Sequence, residues 1–252
     1  MAINSDQSLA LRHVAYVAAS GNGKGIAIKH LGLIPTKPNL LIFDPYGEYE
    51  YEKGNVFSGL GGKPVYHYYD RVSFAKAAIH AWRSGKSFRV AYTPKTRADR
   101  TELLWFAQLV WDMSDGKKQL DVIFGELAKL VESVAKETSI LGEIYTGGRQ
   151  FNIVAHADFQ RSQEIPKTVW GNTPNKVIGG QESLLDANKM KDELSCQLEE
   201  IKELGLLNAK YKDKKGRFTK LHYLVKESGL GNFSPRVIDL SNRTPKVVPF
   251  FP

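Results

Sequence analysis

The 252-residue chain contains a single cysteine, Cys196, which excludes a disulfide framework and a cysteine-based zinc site. Its six histidines are scattered without the spacing of metal ligands. No apolar run approaches the roughly 20 residues needed to span a bilayer. The opening MAINSDQSLA lacks the apolar core of a secretion signal. These absences predict a chain that is neither exported nor membrane-spanning on its own, suited to a reducing cytoplasm. Acidic residues are the scarcer charge, 27 Asp and Glu against 35 Lys and Arg, for a net charge of +8. That imbalance favours a polyanionic partner such as nucleic acid. No internal repeat or low-complexity tract interrupts the chain. A hydrophobic content of 42% suffices for one substantial core, so a single domain is expected over residues 1–252.

What the chain does have is alternation. Short apolar runs rich in Val, Ile, Phe and Tyr, at 13–20, 39–45, 88–94, 121–127 and 152–158, read as buried strands. Helical patterns lie between them at 24–31, 71–84, 97–113 and 128–147. This is the βαβ rhythm of a mainly parallel α/β sheet flanked by helices, whose sites form at the carboxyl ends of strands. The core is expected over about 13–180 and a C-terminal extension over about 181–252. In the extension, 183–204 is helical with a break near Ser195, and LLNAKYKDKKGRFTKLHYLV reads as a β-hairpin turning at Lys-Lys-Gly. The tail SPRVIDLSNRTPKVVPFFP reads as extended, draped over the body or a neighbour. The aromatics of VYHYYD, Tyr66, Tyr68 and Tyr69, alternate as on an edge strand.

One stretch carries chemistry. The window from Ala18 to Gly25 reads A-A-S-G-N-G-K-G, against the G-x-x-x-x-G-K-[ST] of a phosphate-binding loop. Gly23 and Lys24 match, Ala18 stands at the first glycine, and Gly25 replaces the hydroxyl that normally meets Mg²⁺. Glycines allow backbone N–H groups to approach phosphate oxygens, and lysine adds a mobile positive charge. The loop follows a strand and opens a helix, as the motif requires. Taken alone, the stretch fits a nucleotide site or a plain glycine-rich turn.

Three further landmarks follow in order. LIFDPYGEYE places Asp44, Pro45, Gly47, Glu48 and Tyr49 at a strand end; DVIFGEL places Gly125 and Glu126 at another. GRQFNIVAHADFQRSQEIPKTVWGN then carries Gly-Arg at 148–149, Gln160 with Arg161, and Ile-Pro-Lys. Together these resemble the HerA/FtsK superfamily of P-loop ATPases, and most of all the genome-packaging ATPases of icosahedral internal-membrane viruses and phages, which are of similar size and lack added domains. The resemblance covers about two thirds of the chain. It implies a RecA-like (ASCE) P-loop NTPase core that binds ATP and Mg²⁺, assembles as a ring, expected to be a hexamer, and drives double-stranded DNA at a capsid portal vertex, in host cytoplasm and virion. A HerA-like helicase or DNA-transfer ATPase, and a catalytically impaired nucleotide-binding subunit, are the alternatives.

By that resemblance Ser20, Gly21, Asn22, Gly23, Lys24 and Gly25 bind nucleotide. Glu126 polarises the attacking water, Gln160 senses the γ-phosphate, and Arg149 reaches a neighbouring subunit's site, with Arg97, Arg100 and Arg161 as alternatives. Gly125 replaces the family's Mg²⁺-organising aspartate, so no metal-ligating residue is assigned. AKYKDKKGRFTK, residues 209–220, holds six basic residues and one acid. Lys212, Lys214, Lys215 and Arg217 are therefore expected either to meet DNA phosphates or to form a solvated turn.

Overall fold

The computed structural model describes residues 8–241 and 244–248. Its elements in chain order are β1 (Val14–Val17), α1 (Lys24–His30), β2 (Asn39–Phe43), β3 (Tyr66–Tyr68), α2 (Arg71–Arg83), β4 (Phe88–Tyr92), α3 (Arg100–Met113), β5 (Leu120–Phe124), α4 (Ile140–Gly147), β6 (Ile153–Phe159), α5 (Lys167–Gly171) and β7 (Asn175–Ile178). Then come α6 (Leu184–Leu194), α7 (Leu198–Lys210), β8 (Lys220–Lys226), β9 (Phe233–Asp239) and β10 (Lys246–Val248). All ten strands join one sheet in the order β10-β9-β8-β7-β1-β6-β5-β2-β4-β3. From β3 to β7 every pairing is parallel, and from β7 to β10 every pairing is antiparallel. The expected α/β architecture is observed, with β6 lying between the loop-bearing β1 and the glutamate-bearing β5.

Strands β1, β2 and β5 are buried on both faces, which is why their sequences read as continuous apolar runs rather than alternations. One face, through Val17, Leu41, Phe43, Val122 and Phe124, packs on α2, α3, α4, α6 and α7. Tyr16, Leu40, Ile42 and Ile123 face the other way, against α1 and the segment containing Tyr49, Leu60 and Val65. Asp70 and Asp99 cap α2 and α3, each accepting the N–H three residues on at 2.9 Å.

The structure corrects three expectations. The helix expected over 128–147 is confined to α4, preceded by a 3-10 turn at Leu127–Lys129 and an irregular stretch. There the Glu137 carboxylate accepts from Ser139 and Arg100, and Ser139 caps α4, so side chains satisfy groups that a longer helix would have used. The hairpin expected over 206–225 is not centred on Lys-Lys-Gly. Residues 205–210 are the last turns of α7, whose buried Ile201, Leu204 and Asn208 keep helical spacing. Asn208 Oδ1 accepts the His222 N–H at 2.7 Å, tying that helix to β8. Only one bridge, Lys212 with Phe218, closes the basic tip, and the true hairpin is β8–β9. The tail, finally, joins the sheet: 233–239 pairs with β8, and β10 pairs with β9. Its last residues, 249–252, lie outside the described residues. By contrast, the helix break near Ser195 is observed, where Ser195 adopts φ 55° between α6 and α7, and β3 is the edge strand expected from VYHYYD.

Candidate functional site

The loop after β1 is strung between the ends of two neighbouring strands. Ala18 N–H donates to Phe159 O at 3.2 Å, and Ala19 N–H to Gly180 O at 2.9 Å. Gly21 and Gly23 take φ values of 72° and 79°, a left-handed backbone that favours glycine. The alanine at the loop's first glycine position fits because Gly179 stands opposite: a β-carbon there would lie 2.8 Å from Ala18 Cβ. Gly180 likewise leaves room for Asn22. On the other side Tyr223 of β8 donates its hydroxyl to Gly23 O at 2.7 Å. The loop is thus held by the C-terminal extension as well as by the core.

Ser20, Gly21, Gly23, Lys24 and Gly25 line a cleft of about 430 Å³ at the carboxyl ends of the strands, together with Lys29, Glu48, Glu126, Gln160 and Phe218. Asn22 does not line it; its side chain turns toward Gly180. Glu126 follows β5 with φ 54°, an uncommon conformation for a residue with a side chain, and pairs with Lys129 at 3.1 Å. Gln160 follows β6 directly. The structure therefore brings the loop, Glu126 and Gln160 to one place.

Two acids, one lining the cleft and one behind Lys24, were missed from the sequence. The first is Glu48. The buried Asp44 carboxylate accepts the N–H groups of Glu48 and Tyr49 at 2.8 and 3.0 Å, folding D-P-Y-G-E-Y into a turn that presents Glu48 to the cleft. Lys29 donates to Glu48 O at 2.7 Å and lies over the Tyr49 ring. Burial, reinforced by Asp158, raises the Glu48 pKa above the usual carboxylate value. The second is Asp158, near the end of β6. Its Oδ2 meets Lys24 Nζ at 2.6 Å, and its Oδ1 accepts Glu126 N–H at 3.0 Å. One acid in a fully buried strand was the available signal.

The arginines separate. Arg149 donates to Leu9 O and precedes β6, placing it at the opposite end of the sheet from the cleft. Arg100 is held by Glu137 at 2.8 and 3.0 Å. Arg97 is exposed. Arg161, paired with Asp186 at 3.3 Å, lines a second cleft that shares Ala19, Ser20 and Gln160 with the first. Lys212, Lys214, Lys215 and Arg217 are exposed on the tip after α7, where Asp213 accepts from the N–H groups of Lys215 and Arg217.

No protein-family model matches the chain, and no curated protein matches it by sequence. Solved structures do match. The genome-packaging NTPase B204 from Sulfolobus turreted icosahedral virus 2, in complex with ATP-gammaS, superposes with a TM-score of 0.57 at 15% identity, covering 95% of this chain and 98% of its own. The chain has the P-loop NTPase fold. The DNA-packaging ATPase B204 from Sulfolobus turreted icosahedral virus matches with a TM-score of 0.52 at 13% identity, over 96% of this chain and 100% of its own. The bacterial conjugative coupling protein TrwBdeltaN70, in complex with sulphate, matches with a TM-score of 0.54 at 13% identity, over 97% and 86%. Among the described residues no helix is long and apolar enough to cross a membrane.

The fold family implies Mg²⁺ beside the nucleotide. Among the described residues no cluster of three or more His, Cys, Asp or Glu could hold a metal unaided. Mg²⁺ needs less, because it keeps waters and takes one or two carboxylates plus phosphate oxygens. Glu48, Glu126 and Asp158 are hard oxygen donors of that kind, gathered about the loop lysine, and so fit the ion.

Proposed function

We propose that the chain is an ATP-driven translocase of double-stranded DNA, working as the genome-packaging motor of a virus. The observation that carries this reading is the convergence of Lys24, Glu126 and Gln160 on one cleft, at the carboxyl ends of β1, β5 and β6. Hydrolysis of a phosphoanhydride depends mainly on positioning and charge neutralisation. The loop backbone and Lys24 bind the β- and γ-phosphates, Glu126 orients and polarises the attacking water, and Gln160 contacts the γ-phosphate. Glu48, Glu126 or Asp158 would hold Mg²⁺ when it is bound, and the ion would supply charge neutralisation to the phosphates.

A ring of subunits, expected to be a hexamer, fits a fold of this type, and an arginine supplied by a neighbour completes the site. Arg149 serves that role only across a subunit boundary, since it lies far from its own chain's cleft; Arg161 already borders it. The exposed Lys212, Lys214, Lys215 and Arg217 meet DNA phosphates without reading sequence, as a packaging motor requires. Phe218, on the same tip, lines the nucleotide cleft, so DNA contact and nucleotide state share one segment. The motor would act at the portal vertex of a capsid, in host cytoplasm and virion. A conjugation-like DNA-transfer ATPase is the second reading, favoured by the TrwBdeltaN70 likeness.

Displacement of a third strand from a triplex at the end of a long duplex tests this reading. The chain is expected to remove it in an ATP-dependent manner, and Glu126→Gln to fail. Release independent of ATP, or none under conditions where ATP is hydrolysed, would contradict translocation.

A further inference from the structure

The motif's metal-side carboxylate is absent from β5, and the backbone explains why it stays absent. Gly125 N–H donates to Phe43 O at 3.0 Å, and a β-carbon on Gly125 would lie 2.9 Å from that same oxygen and 3.4 Å from Pro45 Cδ. A distance under 3.0 Å to a backbone atom forces β2 to shift. No side chain fits at 125 without that movement, so a carboxylate there cannot simply be restored.

The neighbouring strand supplies one. β5 and β6 run parallel with Phe124 opposite Ala157, so the next step along places Gly125 beside Asp158. Residues in register on adjacent parallel strands project to the same face, about 4.8 Å apart. Asp158 therefore offers a carboxylate at the same height of the sheet and on the same side as the missing one, moved by one strand. It is buried, with a side chain 7% exposed, and it touches both the loop and the water-activating residue through Lys24 and the Glu126 N–H.

We propose that Asp158 is the carboxylate that receives Mg²⁺ with the nucleotide, and that Lys24 occupies it until then. This rests on the nucleotide reading of the cleft. The electrostatics follow from the pairings. A triphosphate in the loop draws Lys24 toward its β- and γ-oxygens and away from Asp158. A buried carboxylate that loses its cation is costly to leave uncompensated. A divalent ion bridging phosphate and Asp158 restores the balance. Glu126 is less suited to the role, because Lys129 already pairs with it and its strained backbone aims it as a separate group. Asp158 also holds the Glu126 N–H through its other oxygen, so the metal carboxylate and the residue facing the water are fixed to one another.

The test compares the affinity of a non-hydrolysable ATP analogue in Mg²⁺ and in EDTA, for the full chain and for Asp158→Asn and Asp158→Glu. The parent is expected to bind about tenfold more tightly with Mg²⁺, a coupling typical of linked sites. Asp158→Asn keeps an acceptor for the Glu126 N–H but loses the charge. Its preference for Mg²⁺ is expected to vanish, while its metal-free affinity equals or exceeds the parent's because Lys24 is released. Asp158→Glu should recover part of the preference, and nucleotide-dependent Mn²⁺ binding followed by electron paramagnetic resonance should track the same order. Asp158→Asn that retains the full Mg²⁺ preference, or loses affinity equally in both buffers, overturns the proposal and leaves the nucleotide site standing. So does a parent that binds the analogue with no metal preference. A parent that binds no analogue in either buffer overturns the nucleotide reading together with this one.

Discussion

His13 shows how burial governs the charge of a residue in this chain. It sits immediately before β1, fully buried against the Tyr145 ring, and its Nδ1 accepts the Ala155 N–H at 2.9 Å, which requires a neutral ring nitrogen. Burial first, then the nearby His156, lowers its pKa from 6.5 to about 4. A depressed folded-state pKa means that the unfolded chain takes up the proton first as pH falls. The stabilisation is thus complete above about pH 6.5 and is lost progressively toward pH 4, by roughly 3 kcal/mol at most. His13→Asn retains an acceptor without the titration. Thermal midpoints measured from pH 7 to 4 should fall more steeply for the parent than for the variant; parallel curves would contradict the assignment.

At the scale of elements, the least expected feature is that β8, from the C-terminal extension, holds the phosphate loop. Leu221 and Tyr223 occupy the space a side chain on Gly23 would need, and the Tyr223 hydroxyl satisfies Gly23 O. Tyr223→Phe removes one buried hydrogen bond, costing about 1 kcal/mol, and leaves Gly23 O with only the Ala27 N–H. Nucleotide affinity should fall severalfold while the fold persists; unchanged affinity would mean that the core alone shapes the loop. This contact joins residues 200 positions apart, and nothing in the local pattern of LHYLV foretold it. The buried parallel strands were legible because continuous apolar runs between turn residues have few other uses. Helices α2 and α3 were legible through their helical patterns, which the structure places at Arg71–Arg83 and Arg100–Met113. The stretch before α4 and the end of α7 were misread for opposite reasons. In the first, Glu137 and Ser139 diverted a helical pattern into side-chain hydrogen bonds. In the second, Leu207, Ala209 and Tyr211 alternate well enough to imitate a strand, while burial of Ile201, Leu204 and Asn208 keeps the helix going. Asp158 escaped notice because its partners, Lys24 and Glu126, come from two other strand ends and meet it only when β6 is inserted between β1 and β5.

The whole molecule combines an open cleft lined by Glu48 and Glu126 with an excess of 8 positive charges. The two meet at the segment from Lys212 to Phe218, whose cations are exposed while its phenylalanine lines the cleft. A phosphate loop of this kind can serve a motor, or a subunit that binds nucleotide without turning it over. The missing hydroxyl at Gly25 and carboxylate at Gly125 sharpen that distinction. Steady-state ATP turnover in Mg²⁺, titrated with duplex DNA, decides between them most directly when Lys24→Ala and Glu126→Gln are measured alongside. The account predicts turnover that duplex DNA stimulates severalfold, and that each substitution reduces by at least about a hundredfold, as expected when charge neutralisation or the water-orienting group is lost. Turnover indifferent to DNA, or unaffected by Glu126→Gln, would contradict it.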